Sequence, residues 1–227
     1  MTEDITTLAR NEADGYEIVL RRRVGNGADV DELIVNGAFA MDSAHIDSEI
    51  ALAEAIGPAP GQVLVGGLGL GFTADHLLHM GATHLDIVEL SLPLIEWARE
   101  GLTPVLARLA DDPRVTLHHG DIVTLLAQQP ALPGLLGPWD NICLDIDNGP
   151  SFLIHENNAH LYTIDGIRGA LEHLRPSGTL AIWAQGPSKD FWFDLLSLDP
   201  DATERLIEVE RGTRRMDYAI YSVHGPA

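Results

Sequence analysis

The residues best suited to chemistry in this chain are glycines and acids at the ends of short apolar runs. The segment Val63-Leu64-Val65-Gly66-Gly67-Leu68-Gly69-Leu70-Gly71 closes a branched run on a glycine turn that leads into a helical pattern. Gly67, Gly69 and Gly71 let the backbone turn tightly against a bound ligand. Their G-x-G-x-G spacing departs from the G-x-G-x-x-G of dinucleotide sites, because Phe72 stands where the third glycine would fall. Glu89 ends the next apolar run, where a carboxylate accepts both hydroxyls of a ribose. Asp121, followed by Ile122, closes His118-His119-Gly120-Asp121 and is placed to meet an adenine edge, to cap the helix that follows, or both. A nucleoside-type ligand is implied.

Asp145 and Asp147 end the fourth run, in Cys143-Leu144-Asp145-Ile146-Asp147-Asn148-Gly149-Pro150, and are the candidates for catalysis. A carboxylate there can hold an amine, accept its proton or stabilise nearby positive charge, and burial beside a like charge would raise the pKa of one of the pair. His45 is a third catalytic candidate, since imidazole titrates near neutrality. Tyr162, Trp183 and Gln185 are candidates for an acceptor wall, although Trp183 in a buried strand reads more simply as core. No metal site is expected: His76 and His79 share a helix face, but no third ligand accompanies them.

The elements that must position these residues follow from periodicity. From Gln62 onward, the runs QVLVGG, HLDIVEL, RVTLHH, WDNICLD and TLAIWAQ alternate with helical segments at 72–80, 92–100, 122–128 and 159–174. Ser91 is the expected N-cap of the second of these helices, and Gly81 the C-cap of the first. A helix near Lys189 to Leu198 and a closing hairpin from Arg205–Glu210 and Asp217–Val223 complete the pattern. The fold class is therefore α/β, a doubly wound, mostly parallel, seven-stranded sheet with a short N-terminal β extension. Residues 1–57 form that extension and a first helix, capped by Asp47 or Ser48, and residues 58–227 form the Rossmann-like domain. Met1 to Gly15 read as a mobile leader, Tyr16–Arg23 and Glu32–Ala40 as strands, and Gln129–Pro138 as a surface loop.

The chain's 227 residues, 45% hydrophobic and 21% charged, suffice for a closed core. A formal charge of -20 repels phosphate backbones and anionic membranes, so neither nucleic acid nor a membrane is an expected partner. The single cysteine, Cys143, admits no internal disulfide, and the acidic N-terminus lacks the basic-then-apolar order of a signal peptide. A cytoplasmic location is expected.

The motifs ELIVNGAFAMDSAHIDSE, VLVGGLGLGFT, IVEL, DDPRVTLHHGD and LDIDNGPS together resemble the spermidine synthase family of class I AdoMet-fold transferases, particularly its short bacterial members. The resemblance covers most of the chain. It implies S-adenosylmethionine (AdoMet) or its decarboxylated form as donor, a small-molecule acceptor, a homodimer, and a catalytic aspartate at Asp145. It also places Met41, His45, Ser48 and Glu49 across the top of the cofactor crevice. Three departures bear on the reaction. Leu70 stands where true aminopropyltransferases carry the loop Asp that holds the donor's amino group, Ala40 replaces a Gln, and Ala51-Leu52-Ala53 replaces a Tyr-His-Glu set. Without that Asp the carboxylate of full AdoMet is admitted. The favoured expectation is therefore methyl transfer to a small, amine-containing acceptor. The alternatives are aminopropyl transfer from decarboxylated AdoMet and a non-catalytic AdoMet-binding module.

Overall fold

A computed structural model describes residues 4–13, 16–24, 27–127, 135, 137–146, 149–150, 156–211 and 214–225. Two sheets organise them. The larger has seven strands in the order β10-β11-β9-β8-β5-β6-β7, with β5 (Gln62–Gly66), β6 (His84–Glu89), β7 (Val115–His119), β8 (Trp139–Leu144), β9 (Leu174–Ala184), β10 (Thr203–Arg211) and β11 (Arg214–His224). Strands β5 to β9 pair in parallel, while β11 runs antiparallel to both β9 and β10, so the closing hairpin forms as expected. The chain order reverses between β5 and β8, and the crevice beyond their carboxyl ends is where this architecture binds ligands.

Helices cover both faces: α1 (Asp47–Glu54), α2 (Phe72–His79), α3 (Leu92–Arg99), α4 (Pro104–Asp111), α5 (Ile122–Ala127), α6 (Ile164–Glu172) and α7 (Lys189–Leu198). Each strand splits its side chains between two cores. On β6, Leu85 and Ile87 join one core, and Val88 joins the other. Ser91 caps α3 as expected, but Asp47 and Ser48 lie inside α1, whose N-cap residue, Ile46, makes no side-chain cap. The segment expected as one helix over 159–174 divides: a 3-10 helix (Glu156–Tyr162) precedes α6, which restarts where the Thr163 hydroxyl accepts the Gly166 N–H at 3.1 Å. Helix α4 has no counterpart in the sequence reading, although Thr103-Pro104 carries the chemistry of a cap followed by a first-turn proline.

The smaller sheet is antiparallel, in the order β1-β2-β3-β4: β1 (Asp4–Ala13), β2 (Tyr16–Val24), β3 (Val30–Val35) and β4 (Ala38–Asp42). The expected leader is thus a ten-residue strand; pairing with β2 orders a segment whose own pattern carries little apolar signal. The run Glu32–Ala40, whose Asn36-Gly37 pair signals a turn, is a hairpin of β3 and β4. Asn36 and Gly37 take positive φ (49° and 74°), the geometry of a tight Asn-Gly turn. Ile18 pairs with Val35 and Leu20 with Leu33, so these four share one face. The opposite face is held by ion pairs, Arg21 and Arg23 both reaching the buried Glu32 at 2.6 and 3.0 Å.

Candidate active site

One cavity lies along the carboxyl edge of the large sheet, roofed by the small one. Gly67, Glu89, Asp121 and Asp145 line its floor, and Ile18, Leu33, Val35 and Met41 line its roof. Glu49 of α1 and Trp183 of β9 complete the walls. The roof is a contribution of β2 and β3 that the sequence reading missed, because alternation shows which residues share a face and not what that face covers.

The glycine loop is held from both sides. Gly67 (φ 91°) lies where an added Cβ would collide with the Asp145 carbonyl oxygen, so the loop and the end of β8 can approach only through glycine. Gly69 (φ 51°) faces the cavity beneath Met41, whose Sδ would be 2.7 Å from an added Cβ and accepts the Leu70 N–H at 3.2 Å. Gly71 does not line the cavity. It backs against Leu109 of α4 and starts α2, so its glycine serves helix packing rather than the ligand surface. Leu70, expected to face the donor, is 1% exposed inside the hydrophobic core. The pocket-facing positions of the loop are therefore Gly67 and Gly69.

Glu89 does two jobs. Its Oε2 accepts the Leu68 N–H at 2.8 Å and its Oε1 accepts the Ser91 N–H at 2.7 Å, pinning the loop to the end of β6. Each oxygen keeps a lone pair for a ligand hydroxyl. Burial raises its pKa against the pull of the surrounding backbone N–H groups. Asp121 likewise has two roles: Oδ1 accepts the Val123 N–H at 2.9 Å and Oδ2 the Thr124 hydroxyl at 3.0 Å, capping α5 at the cavity wall, with Ile122 beside it.

Asp145 sits where β8 ends. Burial pushes its pKa up to about 6, and the Thr73 hydroxyl, which donates to Oδ2 at 2.9 Å, opposes that rise. Glu49, 6% exposed, brings a further carboxylate to the same cavity and accepts the Ser48 hydroxyl at 2.6 Å. Thr73 was not singled out from the sequence, since a threonine in a first helical turn carries no signal of a distant partner.

The other candidates separate. His45 is not part of the cavity wall; its Nδ1 lies 3.1 Å from Oδ1 of the buried Asp42, which also accepts the Ala44 and His45 N–H groups, so its place is a turn-stabilising pair. Asp147 lies outside the described residues. Trp183 does line the cavity, against the expectation that it is simply core, while Tyr162 packs edge-on against Phe191. Cys143 is fully buried and its thiol pKa is driven up by burial, so it serves packing.

No protein-family model matches the chain. A polyamine aminopropyltransferase of Nitrosomonas europaea is 32% identical over 131 residues, which is 56% of this chain and 36% of that protein. The match thus spans only about a third of that relative. Among solved structures, a spermidine synthase in complex with the transition-state analogue AdoDATO superposes with a TM-score of 0.74 at 18% identity, covering 95% of this chain and 73% of the other. The spermidine synthase of Thermotoga maritima gives 0.69 at 17% identity, covering 95% and 72%. The chain has the spermidine synthase fold, a class I AdoMet-type α/β architecture with an N-terminal antiparallel sheet. Among the described residues, no helix is long and apolar enough to cross a membrane.

Proposed function

We propose that this protein transfers an aminopropyl group from decarboxylated AdoMet to a small amine. The observation that carries the reading is Asp145, a half-buried carboxylate poised near 6 on the cavity floor beneath an apolar roof. The 131-residue likeness to a polyamine aminopropyltransferase supports the choice of group. Methyl transfer, favoured from Leu70 above, gains no support from that relative; Leu70 lies in the core, and the loop position that does face the pocket, Gly69, carries no acid either.

The residues present suit the donor. Glu89 offers a lone pair on each oxygen to the ribose hydroxyls, Asp121 and Ile122 border the base, and Gly67 and Gly69 leave room for the sulfonium side. When bound, the donor supplies an electrophilic carbon attached to positively charged sulfur, with methylthioadenosine as leaving group. Asp145 then acts as general base, taking the proton released as the amine nitrogen forms its new bond to carbon. A base with a pKa near 6 is ionised at neutral pH and still basic enough to assist. Glu49 adds a further negative charge that favours a cationic amine. Positioning of the two reactants along one line supplies the rest.

Incubation with decarboxylated AdoMet and a panel of amines tests the reading through release of methylthioadenosine. Release that depends on an amine and on Asp145 is expected. Turnover of AdoMet instead, with S-adenosylhomocysteine as product, would return the reaction to methyl transfer.

A further inference from the structure

The cavity wall is electrostatically one-sided. Glu49, Glu89, Asp121 and Asp145 all line it, and among the described residues no Lys, Arg or His does. Glu89 is placed for the ribose, Asp121 caps α5 beside the base, and Asp145 stands at the end of β8 as the proton acceptor. Glu49 is the acid that these parts leave over. Its Oε2 accepts the Ser48 hydroxyl at 2.6 Å, the length of a charge-assisted bond, and such a bond favours the ionised form.

The position of Glu49 follows from the chain. Met41 of β4 covers Gly69 and takes the Leu70 N–H, which ties the end of β4 to the glycine loop. The chain then runs into α1, which packs against α2, the helix that the loop itself starts, and against β9. Helix α1 therefore lies toward β9 and away from β6 and its ribose acid. Glu49 stands on the side of the loop where a donor's carbon chain runs on from its sulfur.

The two candidate donors differ at the end of that chain by one group. AdoMet carries a carboxylate on the carbon that bears its amino group, and the decarboxylated form carries the amino group alone. An ammonium is favoured beside Glu49 in both. The carboxylate of AdoMet meets like charge from Glu49 and Asp145, and the described wall offers it no cation. The loop takes no part in the choice, since Leu70 lies in the core and Gly69 has no side chain.

Resting on the aminopropyl-transfer reading above, we propose that Glu49 sets the choice of donor: its carboxylate holds the terminal ammonium of decarboxylated AdoMet and repels the carboxylate of AdoMet. Calorimetry on the full chain tests this with four probes. They are decarboxylated AdoMet, AdoMet, the carboxamide of AdoMet, which keeps the bulk and loses the charge, and methylthioadenosine, which lacks the amino-bearing chain. Wild type should bind decarboxylated AdoMet about tenfold or more tightly than AdoMet, with the carboxamide close to the decarboxylated form. In Glu49→Gln that preference should shrink about tenfold, because one donor loses a charge-assisted bond and the other a repulsion, while methylthioadenosine binds as before.

Equal wild-type affinity for the two donors, or rejection of the carboxamide as strong as that of AdoMet, would overturn the proposal, and neither comparison depends on the variant folding. An unchanged preference in E49Q, or equal weakening of all four probes, would overturn it as well. Release of methylthioadenosine from decarboxylated AdoMet together with an unchanged preference in E49Q would sink the proposal and leave aminopropyl transfer standing. A preference lost in E49Q, with no such release on any amine, would sustain donor selection and remove the transfer instead.

Discussion

Two aspartates lie on the same sheet, Asp86 buried inside it and Asp145 half-buried at a strand end, and their surroundings are opposite. Asp86, 6% exposed in the middle of β6, is saturated: His118 Nε2 lies 2.8 Å from Oδ1, and Trp139 Nε1–H donates to Oδ2 at 2.9 Å. Burial alone would raise its pKa, but these partners, with His84 nearby, hold it below the usual carboxylate range. Asp145, at the carboxyl end of β8, has Thr73 as its described side-chain partner and is pushed up to about 6 by burial. A carboxylate inside the sheet is tied off by its neighbours, whereas one at the strand end is left with capacity for a substrate proton. Exposure and completeness of partnering together separate the two acids.

The widest gap between the two should appear in activity. Asp145→Asn is expected to lower kcat about 100-fold or more by removing the base, measured by methylthioadenosine release. The same variant should gain stability at pH 8. A folded-state pKa raised above its unfolded value contributes stability below the unfolded pKa, and that contribution is lost as pH rises through about 6. A higher Tm for Asp145→Asn at pH 8, shrinking below pH 4, would sharpen the contrast, and a lower Tm at pH 8 would break it.

Asp86→Ala should do the reverse. It strands the Trp139 N–H and is expected to cost about 2 to 3 kcal/mol in urea unfolding, with kcat per folded molecule unchanged. Because the Asp86 pKa is lowered, its stabilising contribution is present above the ordinary carboxylate range and lost as pH falls through its folded value. Wild type should therefore lose its stability margin over Asp86→Ala on acidification.

Glu89→Gln places an amide N–H against one of the two backbone donors that Glu89 now accepts, so donor affinity should fall about tenfold by calorimetry. The smallest expected effect belongs to Thr73→Val. Loss of the one described side-chain donor to Asp145 should move the acid limb of kcat/KM to higher pH and slow turnover about threefold to tenfold at neutrality, with Thr73→Ser restoring both.

Several features were legible because their causes are local. The glycine turn, Glu89 at the end of a strand, the Ser91 cap and the Asp121 cap of α5 each follow from residues within one element and its neighbour. Other readings failed where the deciding partner lies far along the chain. Leu70 and Gly71 belong to the same loop as Gly67 and Gly69, yet packing turns Leu70 into the core and sets Gly71 against Leu109 of α4. His45 lies away from the cavity wall, where Asp42 engages it in a turn.

The amino-acid order alone determined a parallel α/β sheet, a glycine-lined crevice at its switch point and acids at the ends of β6, β7 and β8, because hydrophobic periodicity and turn chemistry act over a few residues. Tertiary structure decided the roof, the partnering of each acid and the exposure of Trp183 to the cavity. These depend on which distant surfaces meet: Thr73 reaches Asp145 across 72 positions and Trp139 reaches Asp86 across 53. Burial and hydrogen-bond partnering are properties of that meeting, and they set which carboxylate can take up a proton.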